Sequence, residues 1–208
     1  TQGNWGEMIL ENILETSGLV KNREYFIQQS VKNEEGKRYQ PDVLIHYPGE
    51  KILIIDSKVS LNAYERFANS HTKNEQEIAL NEHIQAIKNH INDLSSKNYQ
   101  DMFSSKSLDF VMMFLPIEPA YMLAIQHDDT IWNYAYNKRI LLISPTNLIA
   151  SLKLISSIWK QEYQSQNVFE IAKQSGALYD KFVGFIEDVN DIGKKLDSTK
   201  KSYESSIN

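Results

Sequence analysis

Two short runs of apolar residues lie near the centre of the N-terminal half of the chain, and the residues between them are typical of a tight turn. Val43–Ile45 forms the first run and Ile52–Ile55 forms the second, and both contain β-branched residues. The stretch Tyr47–Glu50, which separates them, contains a Pro-Gly pair. Two β-branched runs joined by such a turn predict a β-hairpin.

The length of the turn decides which residues face each other across this hairpin. If the loop has three residues, Tyr47 pairs with Lys51, and counting outward places Asp42 opposite Asp56. Lys58 lies two residues beyond Asp56 and therefore points to the same face of the sheet. The pattern predicts that two carboxylates and an amine converge at the open end of the hairpin.

This convergence has both a functional and a structural interpretation. Like charges that face each other at about 5 Å destabilise a sheet, and a divalent cation would neutralise them. Mg²⁺ prefers oxygen ligands, and an amine nearby can stabilise the charge of a phosphate. In the structural interpretation, Asp42 caps the entry to the strand, Asp56 is solvated, and Lys58 pairs with one of them.

Periodic patterns elsewhere predict a mixture of helices and strands. Helical spacing of apolar residues predicts helices at 4–16, 61–68, 75–94, 119–126, 129–137 and 147–164. Strands are predicted at Tyr25–Val31, Leu108–Leu115 and Ile140–Ile143, in addition to the hairpin. The predicted fold class is therefore α/β, with a mixed sheet of about five strands flanked by helices.

Apolar residues at helical spacing continue from Val168 towards the end of the chain, which predicts a long C-terminal helical extension. We expect a core at residues 1–165 and the extension at residues 166–208. After Gly193 the composition is rich in lysine and serine and resembles a solvated helix or a frayed tail. A projecting helix would also suit coiled-coil association, so homo-oligomerisation through it is a second hypothesis.

Composition narrows the range of functions. The 208 residues are 41% hydrophobic, which is enough for a sizeable core, and the absence of cysteine excludes disulfides, thiolate metal sites and cysteine nucleophiles. No apolar run approaches the roughly 20 residues that span a bilayer, and a cytoplasmic location is compatible with the sequence. The net charge of −5 counts against a generally basic DNA-binding surface. An enzyme that concentrates acids at a metal site remains compatible with this charge.

Several motifs resemble known proteins. Pro41-Asp42, followed by Asp56-Ser57-Lys58 at the end of an apolar strand, resembles the signature of the PD-(D/E)xK nuclease superfamily. Longer motifs resemble the RmuC family of DNA recombination proteins over almost the whole chain. These motifs are Gly3–Glu7, Leu14–Leu19, His90–Tyr99, Leu115–Tyr121, Ile143–Leu148, Trp159–Glu162 and Leu178–Phe182.

The resemblance implies a restriction-endonuclease-like fold and a role in DNA recombination or repair by hydrolysis of phosphodiester bonds with Mg²⁺ or Mn²⁺. Asp42 and Asp56 would hold the metal, and Glu7, in the first motif, and the main-chain carbonyl of Ser57 would complete or support its coordination. Lys58 would orient the attacking water or stabilise charge on the phosphate. The competing hypothesis is a non-catalytic DNA-binding or scaffolding module that retains the nuclease fold.

Three residues of the His90–Tyr99 motif are candidates for contacting DNA or supporting the metal ligands: His90, Lys97 and Tyr99. Packing and capping at the helix end would explain the same residues. His83 and His90 lie seven residues apart, about 10 Å along a helix, so they are not expected to share one metal. The family resemblance also implies an upstream membrane anchor and coiled coil, which would tether the full-length protein.

Overall fold

The computed structural model describes residues 2–32, 38–57, 61–97, 99 and 107–207. The chain forms two compact units, Thr1–Trp159 and Lys160–Asn208. In chain order, the elements are α1 (Gln2–Thr16), β1 (Tyr25–Ile27), β2 (Val31–Lys32), β3 (Arg38–Tyr39), β4 (Val43–His46), β5 (Ile52–Asp56), α2 (Asn62–Asn69), α3 (Lys73–Ser96), β6 (Ser107–Phe114), α4 (Glu118–His127), α5 (Ile131–Asn137), β7 (Ile140–Ile143) and α6 (Pro145–Ile207).

The first unit is built on a five-stranded mixed sheet with the strand order β1-β4-β5-β6-β7. The pairs β1–β4 and β4–β5 are antiparallel, and the pairs β5–β6 and β6–β7 are parallel. Helices connect the parallel strands, because a parallel neighbour can only be reached by a long crossover. The α/β fold with a mixed five-stranded sheet, flanking helices and a long C-terminal helix is therefore confirmed.

The hairpin β4–β5 has the predicted register. Val43 pairs with Ile55 at its open end, and at the loop the Tyr47 N–H donates a hydrogen bond of 2.7 Å to the Lys51 carbonyl. Gly49 has a φ of +79°, a left-handed conformation that glycine adopts without steric strain. Continued by one residue beyond the last pair, this register places Asp42 opposite Asp56.

Both faces of the hairpin are buried, which explains why its strands are continuously apolar. One face contributes Leu44 and Ile54 to a core cluster that includes residues of α3, α4 and α5. The other face contributes Ile45 and Ile55 to a cluster with α1 and the first turns of α6. The two clusters fix the positions of α1 and α3 on opposite sides of the hairpin.

The structure differs from the prediction in the first strand, and at the C-terminus it has the expected long helix. The predicted strand Tyr25–Val31 divides into β1 and the start of a separate β2–β3 ribbon. Gln28 ends β1 with a φ of +49°, while its N–H donates to the Asp42 carbonyl at 2.8 Å. At the C-terminus, α6 is one helix of 63 residues and continues through the stretch at which a frayed tail was one expectation. Within the described ranges, no helix has both the length and the apolar character needed to cross a membrane.

Candidate functional site

Asp42 and Asp56 lie at the open end of the β4–β5 hairpin and are almost fully buried, with exposed fractions of 5% and 1%. The Ser57 N–H donates a hydrogen bond of 2.8 Å to Asp42 Oδ2. This bond joins the two chain segments just beyond the last ladder pair. The two acids are therefore held in the interior of the first unit, whereas one interpretation of the sequence left Asp56 solvated.

Helix α3 brings two basic side chains to Asp56. His90 lies in the helix, and Lys97 is the C-cap residue, seven residues or about two turns further on. Lys97 Nζ lies 3.2 Å from Asp56 Oδ1, and His90 Nε2 lies 3.4 Å from Asp56 Oδ2. Neither His90 Nε2 nor Asp56 Oδ2 has a hydrogen-bond partner among the described residues. The buried carboxylate thus has an ion pair on one oxygen and a neighbouring imidazole at the other.

The position of α3 follows from its sequence. A capping box begins the helix, in which the Thr72 hydroxyl accepts from the Glu75 N–H and the Glu75 carboxylate accepts from the Thr72 N–H. Ile87, Ile91 and Leu94 are buried against the sheet. His90 and Lys97 flank this apolar stripe, so packing of the stripe directs them to the end of β5.

The pKa of the Asp56 carboxyl lies below its ordinary value. Burial alone would raise this pKa, because it disfavours the charged form. The contacts with His90 and Lys97 favour the carboxylate and together outweigh burial. Asp56 is therefore an ionised carboxylate at neutral pH, although it is buried.

Glu7 reaches the same region from α1. Glu7 and Asp42 line one small cleft with Gln28, and its volume of about 10 Å³ is on the scale of a single water molecule. Gln28 Nε2 donates a hydrogen bond of 3.3 Å to Glu7 Oε2. The structure therefore brings Glu7 to Asp42, and Asp42 to Ser57, while Asp56 lies outside the lining of this cleft.

Gly6 explains how α1 approaches the strand end so closely. A Cβ atom at this position would lie 3.3 Å from Pro116 Cγ, so that it would crowd the proline ring, and 3.6 Å from Ser57 Oγ, in ordinary van der Waals contact. Ser57 Oγ is buried and has no hydrogen-bond partner in the described part of the chain. The glycine in the first motif thus permits contact between the helix and the segment that follows β5.

The donor atoms around Asp42 and Asp56 suit a hard cation. In the described ranges no three His, Cys, Asp or Glu side chains form a group that could hold a metal. Mg²⁺ needs fewer protein ligands, since one or two carboxylates suffice when water and phosphate oxygens complete the octahedron. Asp42 and Asp56 supply carboxylate oxygens at the same end of the hairpin, and Asp56 Oδ2 is a buried oxygen without a hydrogen-bond partner among the described residues.

The remaining predicted residues lie in different surroundings. Lys58 lies outside the described residues. Tyr99 is buried in the core, and Lys97 Nζ lies 5.4 Å from the centroid of its ring. His83 Nε2 lies 3.0 Å from the Ala120 carbonyl oxygen, whereas His90 faces Asp56.

Two residues that help to build the site were not predicted from the sequence. Gln28 meets Glu7 only because β1 pairs with β4, and nothing in the local pattern around Gln28 indicates that pairing. Gly6 stands inside a helical pattern, where a glycine without a turn is a signal of close packing. That signal could have indicated that the face of α1 that carries Gly6 contacts another segment.

Comparison with known proteins identifies the family. The sequence profile of the RmuC family matches residues 1–208. The DNA recombination protein RmuC homolog of Pseudomonas aeruginosa is 45% identical over 208 residues, and the matched region covers all of this chain and 46% of that protein. The Vibrio cholerae homolog is 45% identical, with 100% of this chain and 40% of the relative covered.

The DNA recombination protein RmuC of Escherichia coli strain K12 is 42% identical, again over 100% of this chain and 44% of the relative. The chain thus spans less than half the length of these curated relatives. Because the family profile covers the whole chain, including both acidic residues of the hairpin and the motif on α3, the chain belongs to the RmuC family.

Proposed function

We propose that this chain is the nuclease domain of a DNA recombination protein and that it hydrolyses DNA phosphodiester bonds with Mg²⁺ or Mn²⁺. The observation that carries this proposal is the pair of buried acids, Asp42 and Asp56, in facing positions at the open end of one hairpin. Two acids are retained in a protein interior only when something compensates their charge. The names of the relatives support the DNA recombination role.

Asp42, Asp56 and the Ser57 carbonyl would hold the metal, and Glu7 would contribute from the neighbouring cleft. When bound, the ion supplies positive charge that stabilises the phosphate and activates water. The chain's own residues fix the geometry: the Ser57 N–H orients the Asp42 carboxylate, and Lys97 and His90 position Asp56. Lys58 remains the predicted residue for orienting water or stabilising phosphate charge.

A second candidate function is a DNA-binding or scaffolding module without catalysis. One observation favours it: Lys97 already forms an ion pair with Asp56, so this carboxylate has a compensating charge without any metal. The module would bind DNA through local basic residues despite the overall charge of −5. It differs from the nuclease in a measurable way, because it needs neither a metal nor the Asp56 carboxylate.

The decisive experiment is a calorimetric titration of Mn²⁺ and Mg²⁺ into the wild type, Asp42→Asn and Asp56→Asn, followed by DNA cleavage assays on the same samples. We expect the wild type to bind the ion, and each variant to lose affinity and cleavage by on the order of 100-fold or more. Asp129→Asn is the matched control, because Asp129 is an exposed acid, and it should behave as the wild type.

Two results would contradict the nuclease. One is cleavage that Asp56→Asn leaves unchanged, which would indicate a contaminating enzyme or another site. The other is a wild type that binds DNA but no divalent ion, with DNA affinity that is the same in Asp56→Asn. That second result would establish the non-catalytic module.

A further inference from the structure

The second unit carries an exposed apolar seam at coiled-coil spacing. Between residues 168 and 203 of α6, core positions separated alternately by three and four residues are apolar at nine of eleven places. We call these nine side chains the heptad seam. They are Val168, Ile171, Leu178, Phe182, Phe185, Val189, Ile192, Leu196 and Tyr203.

The positions farthest from the seam are charged in the same register. In each of five successive heptads, the position farthest from the seam carries a charge. These residues are Lys173, Asp180, Glu187, Lys194 and Lys201. An apolar line with a period of 3.5 residues and a charged outer face is the pattern of a helix in a left-handed coiled coil.

The seam is open to solvent along its whole length. Its members are between 47% and 70% exposed, and they extend along about 50 Å of helix at 1.5 Å per residue. Exposed apolar patches of this size on a protein surface mark interaction sites. The described residues of the second unit form this helix alone, so its seam needs a partner from another unit or another molecule.

We propose that the heptad seam binds the same seam of a second copy of this chain, as an antiparallel two-stranded coiled coil. When the two helices are aligned around the centre of the seam, Phe182 packs against Phe185 of the second copy, and Leu178 packs against Val189 of the second copy. Every aromatic or aliphatic residue in these central layers then meets another apolar residue. Because the helices are antiparallel, each pairing occurs twice.

Charges beside the seam favour this direction. In the antiparallel alignment Lys181 lies beside Asp188 of the second copy, and symmetry gives two such attractive pairs. A parallel alignment in register brings no opposite charges together at the flanking positions, and it places Lys195 beside Lys200 of the second copy. Charges at these positions determine the orientation of coiled-coil partners.

The surface of the seam has a shape that suits a partner side chain. Ser175, Leu178, Tyr179 and Phe182 line an open hollow of about 480 Å³. Four residues of this arrangement form the hole that receives one side chain from the facing helix. The small Ser175 leaves room at one corner, and in the antiparallel alignment Val189 of the second copy enters the hollow.

The first test is sedimentation or light scattering of the 208-residue chain and two aspartate variants. We expect the wild type to form a dimer, and Phe182→Asp to weaken dimerisation by more than about 100-fold, because a charge would be buried in the seam. Phe169→Asp changes the same residue type outside the seam on the same helix and should dimerise as the wild type does. A wild type that is monomeric throughout, or equal effects of both variants, would overturn the proposal.

The orientation is tested by disulfide trapping, since the chain has no native cysteine. Leu178→Cys and Val189→Cys are prepared separately and oxidised alone and as a mixture. The antiparallel alignment predicts a covalent dimer between the two variants in the mixture and little from either alone. Cross-linking of each variant with itself would establish the parallel arrangement instead. Circular dichroism of each variant checks that the helix is retained.

Discussion

Helix α6 passes through two regions that share a sequence pattern and differ in burial. In the first unit, Leu148, Leu152 and Ile155 lie on one side of the helix and are fully buried. In the second unit, Leu178 and Phe182 lie on one side of the same helix and are exposed. Helical periodicity therefore indicates which face will be covered, and it does not indicate what covers it.

The difference has a physical origin. In the first unit, residues of β4, β5 and α1 form an apolar cluster with the first turns of α6, so burial is achieved within one chain. In the second unit, the described residues offer the helix no such surface. An apolar stripe on a helix stabilises the protein only where the stripe is buried. The contrast can be tested by making equivalent changes in the two regions.

The largest expected effect comes from removing one buried leucine of α6. Leu152→Ala should lower the free energy of unfolding of the first unit by about 2–5 kcal/mol, because it leaves a cavity in a filled core. Leu178→Ala, the matched change in the second unit, should alter that free energy by less than about 0.5 kcal/mol. Urea unfolding followed by tryptophan fluorescence measures this, since Trp5, Trp132 and Trp159 all lie in the first unit.

The order of the two effects should be reversed when dimerisation is measured instead of stability. Leu178→Ala should weaken dimerisation, and Leu152→Ala should leave it unchanged. If Leu178→Ala instead destabilised the first unit as strongly as Leu152→Ala, the contrast between the two parts of α6 would be wrong.

A smaller effect is expected at a buried polar group. Asp42→Ala leaves the Ser57 N–H without its acceptor, and an unsatisfied buried donor costs about 1–3 kcal/mol. Asp42→Asn keeps an oxygen that can accept this hydrogen bond and removes the like charge facing Asp56. We therefore expect Asp42→Ala to be the less stable of the two by about 1–3 kcal/mol in the same urea assay.

An acid of the second unit supplies the control for this experiment. Asp197 is exposed on α6, so Asp197→Ala should stay within about 0.5 kcal/mol of the wild type. Equal stabilities of Asp42→Ala and Asp42→Asn would show that the Ser57 hydrogen bond contributes nothing measurable.

The hairpin was predictable from sequence because its rules are local. A loop of three residues and a side-chain period of two determine the pairing, and the structure has Val43 opposite Ile55 as those rules require. The facing positions of Asp42 and Asp56 follow from the same count. Their deep burial does not, because it depends on how α1 and α3 cover the end of the sheet.

The rest of the site depends on packing between distant segments. The motif on α3 singled out His90 and Lys97, but only the docking of that helix shows that both side chains face Asp56. The hydrogen bond between Gln28 and Glu7 joins residues 21 positions apart. The uninterrupted course of α6 was also hard to predict, since glycine and serine in its last part lower the intrinsic preference for helix.

The smallest expected effect is a pH dependence confined to the first unit, which contains all five histidines. His83 is fully buried, and burial lowers the pKa of its imidazole below 6.5, while the contact with the Ala120 carbonyl opposes this only partly. The folded protein therefore keeps His83 neutral at a pH at which the unfolded chain protonates it. Its contribution to stability is fully present above pH 6.5 and is lost as the pH falls towards the lowered pKa, by at most about 1.4 kcal/mol per pH unit.

His83→Gln retains an N–H donor and does not titrate, so its free energy of unfolding should fall less than that of the wild type between pH 7 and about pH 5. His71→Gln, at an exposed position, should follow the wild type, and identical pH profiles for His83→Gln and the wild type would show that His83 does not titrate as a buried group.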